Sequence, residues 1–187
     1  MTDLSNDVAK PPEGVLPAET SLADSKDAMV GLVELLFFAY RDFTSDPDEI
    51  LAEFNFGRAH HRVLHFVDRY PGLRVADLLD ILKITKQSLA RVLRQLVGSG
   101  FVEQRLGEAD RRERRLYTTG SGRDLALRLL EPQVKRMQNA MLSTRGNTEP
   151  EVVGAFLFAM IEAGERRRVE GLMAEPAKRV LSKREET

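Results

Sequence analysis

The stretch from Lys83 to Thr119 constrains the fold more than any other part of the chain, because it combines an amphipathic helix with a hairpin. From Lys86 onward, apolar residues recur at helical spacing, and polar or basic residues lie opposite them. Thr85 is the predicted N-cap of this helix, and Gly98 and Gly100 are predicted to end it. The apolar stripe consists of Leu89, Val92, Leu93 and Leu96.

Two short strands are predicted after this helix. The strand pattern covers residues 101–106 and 114–118, with a turn at residues 107–110 between them. The segment therefore predicts a helix followed by a β-hairpin with a basic tip.

Charge is distributed unevenly along the chain. Residues 83–115 hold nine Lys or Arg and four Asp or Glu, a net charge of +5, in a chain whose total is −1. Residues 1–57 hold three basic and twelve acidic residues, a net charge of −9. A near-neutral total thus conceals a basic module behind an acidic leader. Such a local basic surface is typical of a protein that binds a polyanion.

A second helix is predicted immediately before the amphipathic one. Residues 75–82 form a short helix, and Lys83 and Ile84 form a tight turn into the helix that Thr85 caps. Two helices joined by so short a turn predict a helix-turn-helix, whose second helix can enter the major groove of DNA. Residues 57–70 form a further helix that carries all three histidines and ends at Pro71.

Long helices flank this central region. Residues 26–43 predict an apolar helix that needs more cover than a small domain offers, which indicates dimerisation. Residues 44–47 are predicted to break it, with Asp46 capping a new helix and Pro47 in its first turn. A helix kinked at Pro132 is expected over residues 120–141, and a last helix over 149–173.

The predicted fold class is mostly α with a small β-hairpin wing: a winged helix-turn-helix plus long N- and C-terminal dimerisation helices. The expected organisation is a disordered arm (1–25), N-terminal dimerisation helices (26–56), a DNA-binding lobe (57–119), C-terminal dimerisation helices (120–174) and a charged tail (175–187).

Two segments carry a resemblance to a known family. The run LLDILKITKQSLARVLRQLVGSGFVEQ, followed by EADRRERRLYTTGSG, resembles the winged helix-turn-helix of MarR-type bacterial transcription regulators. The most specific match is Asp110-Arg111-Arg112, then a basic strand, then Thr119 and Gly122. The sequence departs from the family at Lys83, where most members have a turn glycine, and in having Tyr117-Thr118 before Thr119. The resemblance implies a homodimer whose first and last helices interlock.

Candidate DNA contacts come from the exposed face of the capped helix and from the wing. Gln87, Ser88 and Arg91 are placed to reach base edges, since Gln pairs bidentately with adenine and Arg with guanine. Lys86, Arg94 and the amides near Thr85 are placed to hold phosphates. The alternative for this helix is a plain solvated face.

The wing supplies a second set of candidates. Arg111 and Arg112 lie at the hairpin tip, where an arginine can enter the minor groove. Asp110 cannot bind phosphate, and the family pattern supports a pairing with an arginine that fixes the shape of the wing. Strand alternation sends one of Arg114 and Arg115 away from DNA, so neither is a predicted contact.

The resemblance also implies a small-molecule effector in a cleft between the dimerisation helices and the DNA-binding lobe. Such a pocket would be lined by Phe37, Tyr40, Arg41, His61 and His65. Because His61 and His65 are four residues apart, they share a helix face, and a metal-responsive regulator remains an alternative. We expect these histidines to pack at a helix interface and predict no cofactor.

Residues 162–168 combine two glutamates with three consecutive arginines. They predict a solvated helix end, with a second nucleic-acid patch as the alternative.

Several classes of function are disfavoured. The chain has no cysteine, which excludes a disulfide scaffold and a thiolate metal site. It has no nucleophile elbow, phosphate-binding glycine loop or paired catalytic carboxylates, so we expect no enzymatic activity. Neither a signal peptide nor a membrane-spanning run is recognisable, which predicts a cytoplasmic protein that does not contact membranes. The rival from another class is an interaction module whose winged helix docks protein.

Overall fold

The computed structural model describes residues 26–107, 112–144 and 148–185, with side chains described as far as residue 174. The chain divides into two compact units, Met1–Tyr40 and Arg41–Thr187. The second unit holds the predicted helix-turn-helix and wing.

Seven helices and three strands make up the described part of the chain. The helices are α1 (Lys26–Ala52), α2 (Arg58–Arg69), α3 (Val75–Leu82), α4 (Lys86–Gly98), α5 (Gly120–Ser143), α6 (Pro150–Ala159) and α7 (Ala163–Glu185). The strands are β1 (Leu73–Arg74), β2 (Val102–Leu106) and β3 (Arg114–Thr118). This arrangement confirms the predicted fold class of a mostly helical winged helix-turn-helix.

The wing is part of a three-stranded antiparallel sheet of order β1-β3-β2. In the β2–β3 hairpin, Val102 pairs with Thr118 and Leu106 with Arg114. The short strand β1 pairs Leu73 with Leu116 on the other side of β3. The sequence did not predict β1, because two residues show no periodicity. It follows Gly72, whose φ of +86° favours glycine.

A single hydrophobic core holds the second unit together. The apolar stripe of α4 points into it, as predicted, with exposed fractions of 4% or less. The N-terminal side contributes Leu51 of α1, and the C-terminal side contributes Leu125 and Leu129 of α5. The core therefore crosses residues 57 and 119, the expected limits of the DNA-binding lobe. Its other members are Val63, Leu64, Val67, Leu78, Leu82, Val102, Leu116 and Ala126.

The predicted helix break at residues 44–47 was wrong, since α1 is one helix with Pro47 inside it. Pro47 cannot donate to the carbonyl of Phe43, four residues earlier. Gln133 of α5 supplies the missing donor, because its Nε2 lies 3.2 Å from that carbonyl oxygen. The Gln133 side chain is buried, as is Pro47. A long-range contact therefore allows the helix to pass through the proline.

The predicted last helix over 149–173 was also wrong in one respect: it is two helices, α6 and α7. Arg166 of α7 stabilises the break between them. Its Nε donates to the carbonyl of Ile161 at 2.9 Å, and its Nη2 to that of Ala159 at 2.7 Å. These carbonyls would otherwise be unsatisfied at the end of α6. Helix α7 continues to Glu185, through most of the segment expected to be a tail.

None of the helices in the described ranges combines the length and apolarity that crossing a membrane requires.

Candidate nucleic-acid interface

The exposed face of α4 carries the predicted DNA contacts. The side chains of Lys86, Gln87, Arg91 and Arg94 are all exposed. Within the described ranges, none of these four side chains has an intramolecular hydrogen bond or ion pair. Their donors thus point into solvent, while the opposite face of the same helix is buried.

The N-terminus of α4 is closed by the predicted cap. The Oγ1 of Thr85 accepts a hydrogen bond from the amide of Ser88 at 3.1 Å and donates to the Oγ of Ser88 at 2.9 Å. This satisfies one of the amides that have no partner within the helix. Both hydroxyls are therefore partly engaged within the protein. At the other end of the helix, Gly100 has a φ of +75°, as its predicted left-handed role requires.

The turn between α3 and α4 contains the departure from the family pattern. Lys83 adopts the left-handed conformation that a glycine would favour, with a φ of +51°. Its amide donates to the carbonyl of Leu79 at 2.9 Å. Arg62 of α2 donates from Nη2 to the carbonyl of Leu82 at 3.1 Å. The turn is therefore held by side chains from outside the helix-turn-helix as well as by its own backbone.

His60 connects α2 to the back of α4. Its Nδ1 accepts the amide of Gly57 at 3.1 Å, so its Nε2 is the donor toward the Oε1 of Gln95 at 3.0 Å. The ring also stacks on Phe56, with centroids 4.5 Å apart. His60 thus packs at a helix interface, as we expected of the histidines, and it fixes one side of α4.

The wing is described only in part. Asp110 and Arg111 lie outside the described residues, so their predicted roles stay predictions. Arg112 is described, and its side chain is exposed. On the neighbouring strand, the guanidinium of Arg105 lies 4.4 Å from the centroid of the Tyr117 ring.

Glu113, at the loop end of the wing, has a structural role that the sequence did not predict. Its Oε2 accepts from Nη2 of Arg115 at 2.9 Å, and its Oε1 from Nη1 of Arg74 at 3.3 Å. Arg74 also pairs with Asp77 at 2.6 Å, and this pairing holds the pKa of Asp77 below its ordinary value. The wing, β1 and the start of α3 are therefore joined by one ionic network.

This network separates the two arginines of β3. Arg115 is directed toward Glu113 and the carbonyl of Gly72, which lies 3.5 Å from its Nη1. Arg114 is exposed. The two side chains thus lie on opposite faces of β3, as strand alternation predicts, with Arg115 on the face toward Gly72.

The predicted pocket residues belong to two different units, which we describe separately. Phe37 and Tyr40 lie in the unit Met1–Tyr40 and are 68% and 55% exposed. In the other unit, Arg41 pairs with Asp42 at 2.7 Å, and His61 and His65 lie on one face of α2.

Burial changes the titration of these two histidines. Desolvation lowers the pKa of His61 to about 4, and it also lowers the pKa of His65. The positive charge of Arg69 adds to the effect on His65, and a proton on His65 would add to the effect on His61. Both imidazoles are therefore neutral at pH 7.

His65 lines a cavity of about 400 Å³ between α2, α3 and the start of α7. Its walls combine aromatic and aliphatic side chains with two arginines and two carboxylates. No group of three or more His, Cys, Asp or Glu side chains in the described ranges could hold a metal ion. The lining residues are Phe66, Arg69, Tyr70, Asp80, Ile81, Glu165, Arg168, Val169, Leu172 and Met173.

Comparisons with known proteins agree with this geometry. The family model described as MarR family matches residues 54–113. The HTH-type transcriptional regulator PetP of Rhodobacter capsulatus is 43% identical over 162 residues, which cover 85% of this chain and 95% of PetP.

Solved structures show the same fold at low sequence identity. A MarR-family regulator from Silicibacter pomeroyi has a TM-score of 0.55 at 20% identity, covering 67% of this chain and 82% of its own. A MarR mutant from E. coli, complexed with operator DNA, has a TM-score of 0.52 at 19% identity, covering 71% and 94%. With the match to PetP, the family model and the winged helix, the chain belongs to the MarR family of helix-turn-helix transcriptional regulators, which are not enzymes.

Proposed function

We propose that this regulator binds a pseudo-palindromic DNA operator as a homodimer, with α4 in the major groove and the wing beside it. One observation carries the proposal: Lys86, Gln87, Arg91 and Arg94 lie exposed on one face of α4, without partners in the described part of the chain. Residues 83–115 carry a net charge of +5, which favours a polyanion at this face.

Base readout is assigned to Gln87 and Arg91 of that face. Arg91 would pair with guanine and Gln87 with adenine, each contributing about 1–3 kcal/mol of discrimination. Ser88 lies beside them, and although its hydroxyl accepts a hydrogen bond from Thr85, its own O–H is available to donate to a base.

Phosphate contacts are assigned to the two other basic residues of this face. Lys86 and Arg94 would bind the backbone and set the register of α4 without reading sequence. Thr85 acts through the end of the helix, since its hydroxyl caps α4. Arg112 would follow the adjacent minor groove, together with Arg111 as the sequence predicts.

Dimerisation is supported by large apolar side chains that are exposed on two helices in the described part of the chain. Along α1, Leu36, Phe37 and Phe38 are 44–68% exposed. Along α6, Phe156 and Met160 are 63% and 53% exposed. Exposed apolar side chains on this scale are typical of an interface with another protein, and a second copy of the chain would place two recognition helices about one turn of DNA apart.

We propose a small-molecule effector as a further part of this function. It would bind beside His65, in the cavity of about 400 Å³, which is large enough for a small organic molecule. The ligand-binding role of Phe37, Tyr40, Arg41 and His61 stays a prediction. Metal control through the two histidines lacks a third ligand in the described ranges.

Selection of binding sites from random DNA duplexes tests the proposal. The purified protein should enrich a pseudo-palindrome whose half-sites are about one helical turn apart. Binding without enrichment, abolished by moderate salt, would indicate charge attraction alone. In that case the winged helix would be better explained as a surface that docks protein.

A further inference from the structure

The turn of the helix-turn-helix determines how α4 is presented, because only three residues separate α3 from α4. Lys83 adopts a left-handed conformation there, which is unfavourable for a residue that has a Cβ. Such a conformation persists only when the surroundings fix it. Contacts to Lys83 from other parts of the molecule therefore bear directly on the position of α4.

One such contact comes from the C-terminal helix. The Nζ of Lys83 lies 3.0 Å from the Oε1 of Glu165 in α7, across 82 positions in sequence. This hydrogen bond holds the pKa of Glu165 below its ordinary value. Because Lys83 is the C-terminal cap of α3, the contact reaches the turn itself.

A second residue of α7 extends the contact. Arg168 lies 3.9 Å from Asp80 of α3, through Nη2, and 3.5 Å from Glu165, through Nη1. The two positively charged and two negatively charged groups alternate in a chain from the turn to α7. We call Lys83, Asp80, Glu165 and Arg168 the α7 clamp.

Other contacts hold the start of α7 in place. Arg166, next to Glu165, bonds the carbonyls of Ala159 and Ile161 and so sets the start of α7 relative to α6. Further along α7, Val169 and Leu172 line the same cavity as Ile81 of α3. The segment predicted as a solvated helix end is therefore in contact with the DNA-binding lobe.

We propose that Glu165 and Arg168 are positioning residues for DNA recognition, which hold the turn at Lys83 and thereby the angle of α4. The inference rests on the proposed DNA-binding function. The proposed contact also links α6, whose apolar side chains are exposed, to the recognition helix α4, since α6 leads directly into α7.

Net charge and the α7 clamp predict opposite effects on DNA binding when the charge of Glu165 is reversed. Glu165→Lys raises the net charge by two, which strengthens attraction to DNA phosphates. If the clamp positions α4, the same change places two positive charges together and weakens specific binding. The matched control is Glu170→Lys, because Glu170 is exposed on the same helix and has no described contact with the turn.

The first measurement is the ratio of affinities for the selected operator and a scrambled duplex. We expect Glu165→Lys to lower this ratio about three- to tenfold, since attraction in a partly exposed pair becomes repulsion. The double variant Lys83→Glu with Glu165→Lys should regain most of the loss, whereas Glu170→Lys should leave the ratio unchanged. Equal ratios in Glu165→Lys and Glu170→Lys would overturn the clamp.

The second measurement needs no DNA. Hydrogen exchange of the amides in residues 82–88 should be faster in Glu165→Lys, and in the milder Glu165→Gln, than in Glu170→Lys. Unchanged exchange in both Glu165 variants would refute the clamp even if the protein selected no operator. Conversely, faster exchange without any selected operator would overturn only the proposed function.

Discussion

At the scale of single residues, the helix-turn-helix depends on a few backbone positions. Gly122, in the first turn of α5, is one of them. A Cβ built at this position would overlap the carbonyl oxygen of Phe101. The backbone amide of Gly122 donates a hydrogen bond to the capping Oγ1 of Thr119 at 3.0 Å. The close approach of α5 to the start of the wing therefore requires glycine.

We expect Gly122→Ala to lower the free energy of unfolding by about 2–3 kcal/mol, because packed backbone cannot move aside freely. Gly120→Ala is the control, since a Cβ there meets nothing within 4 Å. Denaturant unfolding of the two variants measures the difference. A Gly122→Ala protein as stable as Gly120→Ala would show that the contact is absent.

Residue-scale chemistry also makes stability depend on pH. Burial lowers the pKa of His61 from 6.5 to about 4, so folding favours the neutral imidazole. The unfolded chain then binds more protons, and stability falls as the pH drops from about 6.5 toward 4. Above pH 6.5 the contribution is fully present.

We expect His61→Gln to flatten this dependence, because glutamine does not titrate. Chemical unfolding at several values between pH 4 and 7.5 measures the slope for both proteins. Because His65 shifts in the same direction, the variant should retain part of the slope. Equal slopes in the wild type and in His61→Gln would mean that His61 is solvated.

At the scale of helices and strands, local patterns predicted some of the structure well. The bounds of α3 and β3, the cap at Thr85 and the buried stripe of α4 all agree with the sequence, because each depends on contacts within a few residues. Errors arose where a distant side chain decided the outcome. Gln133 lies 90 positions from Phe43 and still supplies the hydrogen-bond donor that Pro47 lacks.

The continuity of α1 yields a prediction for this element. Gln133→Leu should lower the free energy of unfolding by about 1–3 kcal/mol, because the Phe43 carbonyl loses its donor. The loss should shrink in a Pro47→Ala background, where residue 47 regains an amide that can bond this carbonyl. Gln138→Leu, at an exposed position of the same helix, is the control.

The wild type, Gln133→Leu, Pro47→Ala and the double variant form a double-mutant cycle, and thermal and denaturant unfolding measures their stabilities. Additive effects of Gln133→Leu and Pro47→Ala would contradict the idea that the Gln133 side chain replaces the backbone amide missing at Pro47.

The ionic contacts of the site were not predictable from the sequence for the same reason. Glu113 looked like one more charge in a mixed run, yet it joins Arg74 and Arg115. Glu165 looked solvated, yet it reaches Lys83. Pattern reasoning identifies which face is exposed, but it does not identify which opposite charges meet across the fold.

At the scale of the whole molecule, large apolar side chains of α1 and α6 are exposed in the described part of the chain. We predict a dimer at micromolar concentration and a monomer for Leu36→Asp, because a buried unpaired charge opposes association. Sedimentation velocity distinguishes the two. Leu106→Asp, on an exposed wing leucine, should remain dimeric. A monomeric wild type would remove the basis for two half-sites.

The central claim is that the exposed face of α4 divides base readout from phosphate binding. The most direct test is the affinity of Arg91→Ala and Arg94→Ala for the selected operator and for a scrambled duplex. We predict that Arg91→Ala loses about tenfold or more for the operator alone, while Arg94→Ala weakens both duplexes equally and reduces the salt slope by about one. Equal losses on both duplexes for Arg91→Ala would contradict the claim.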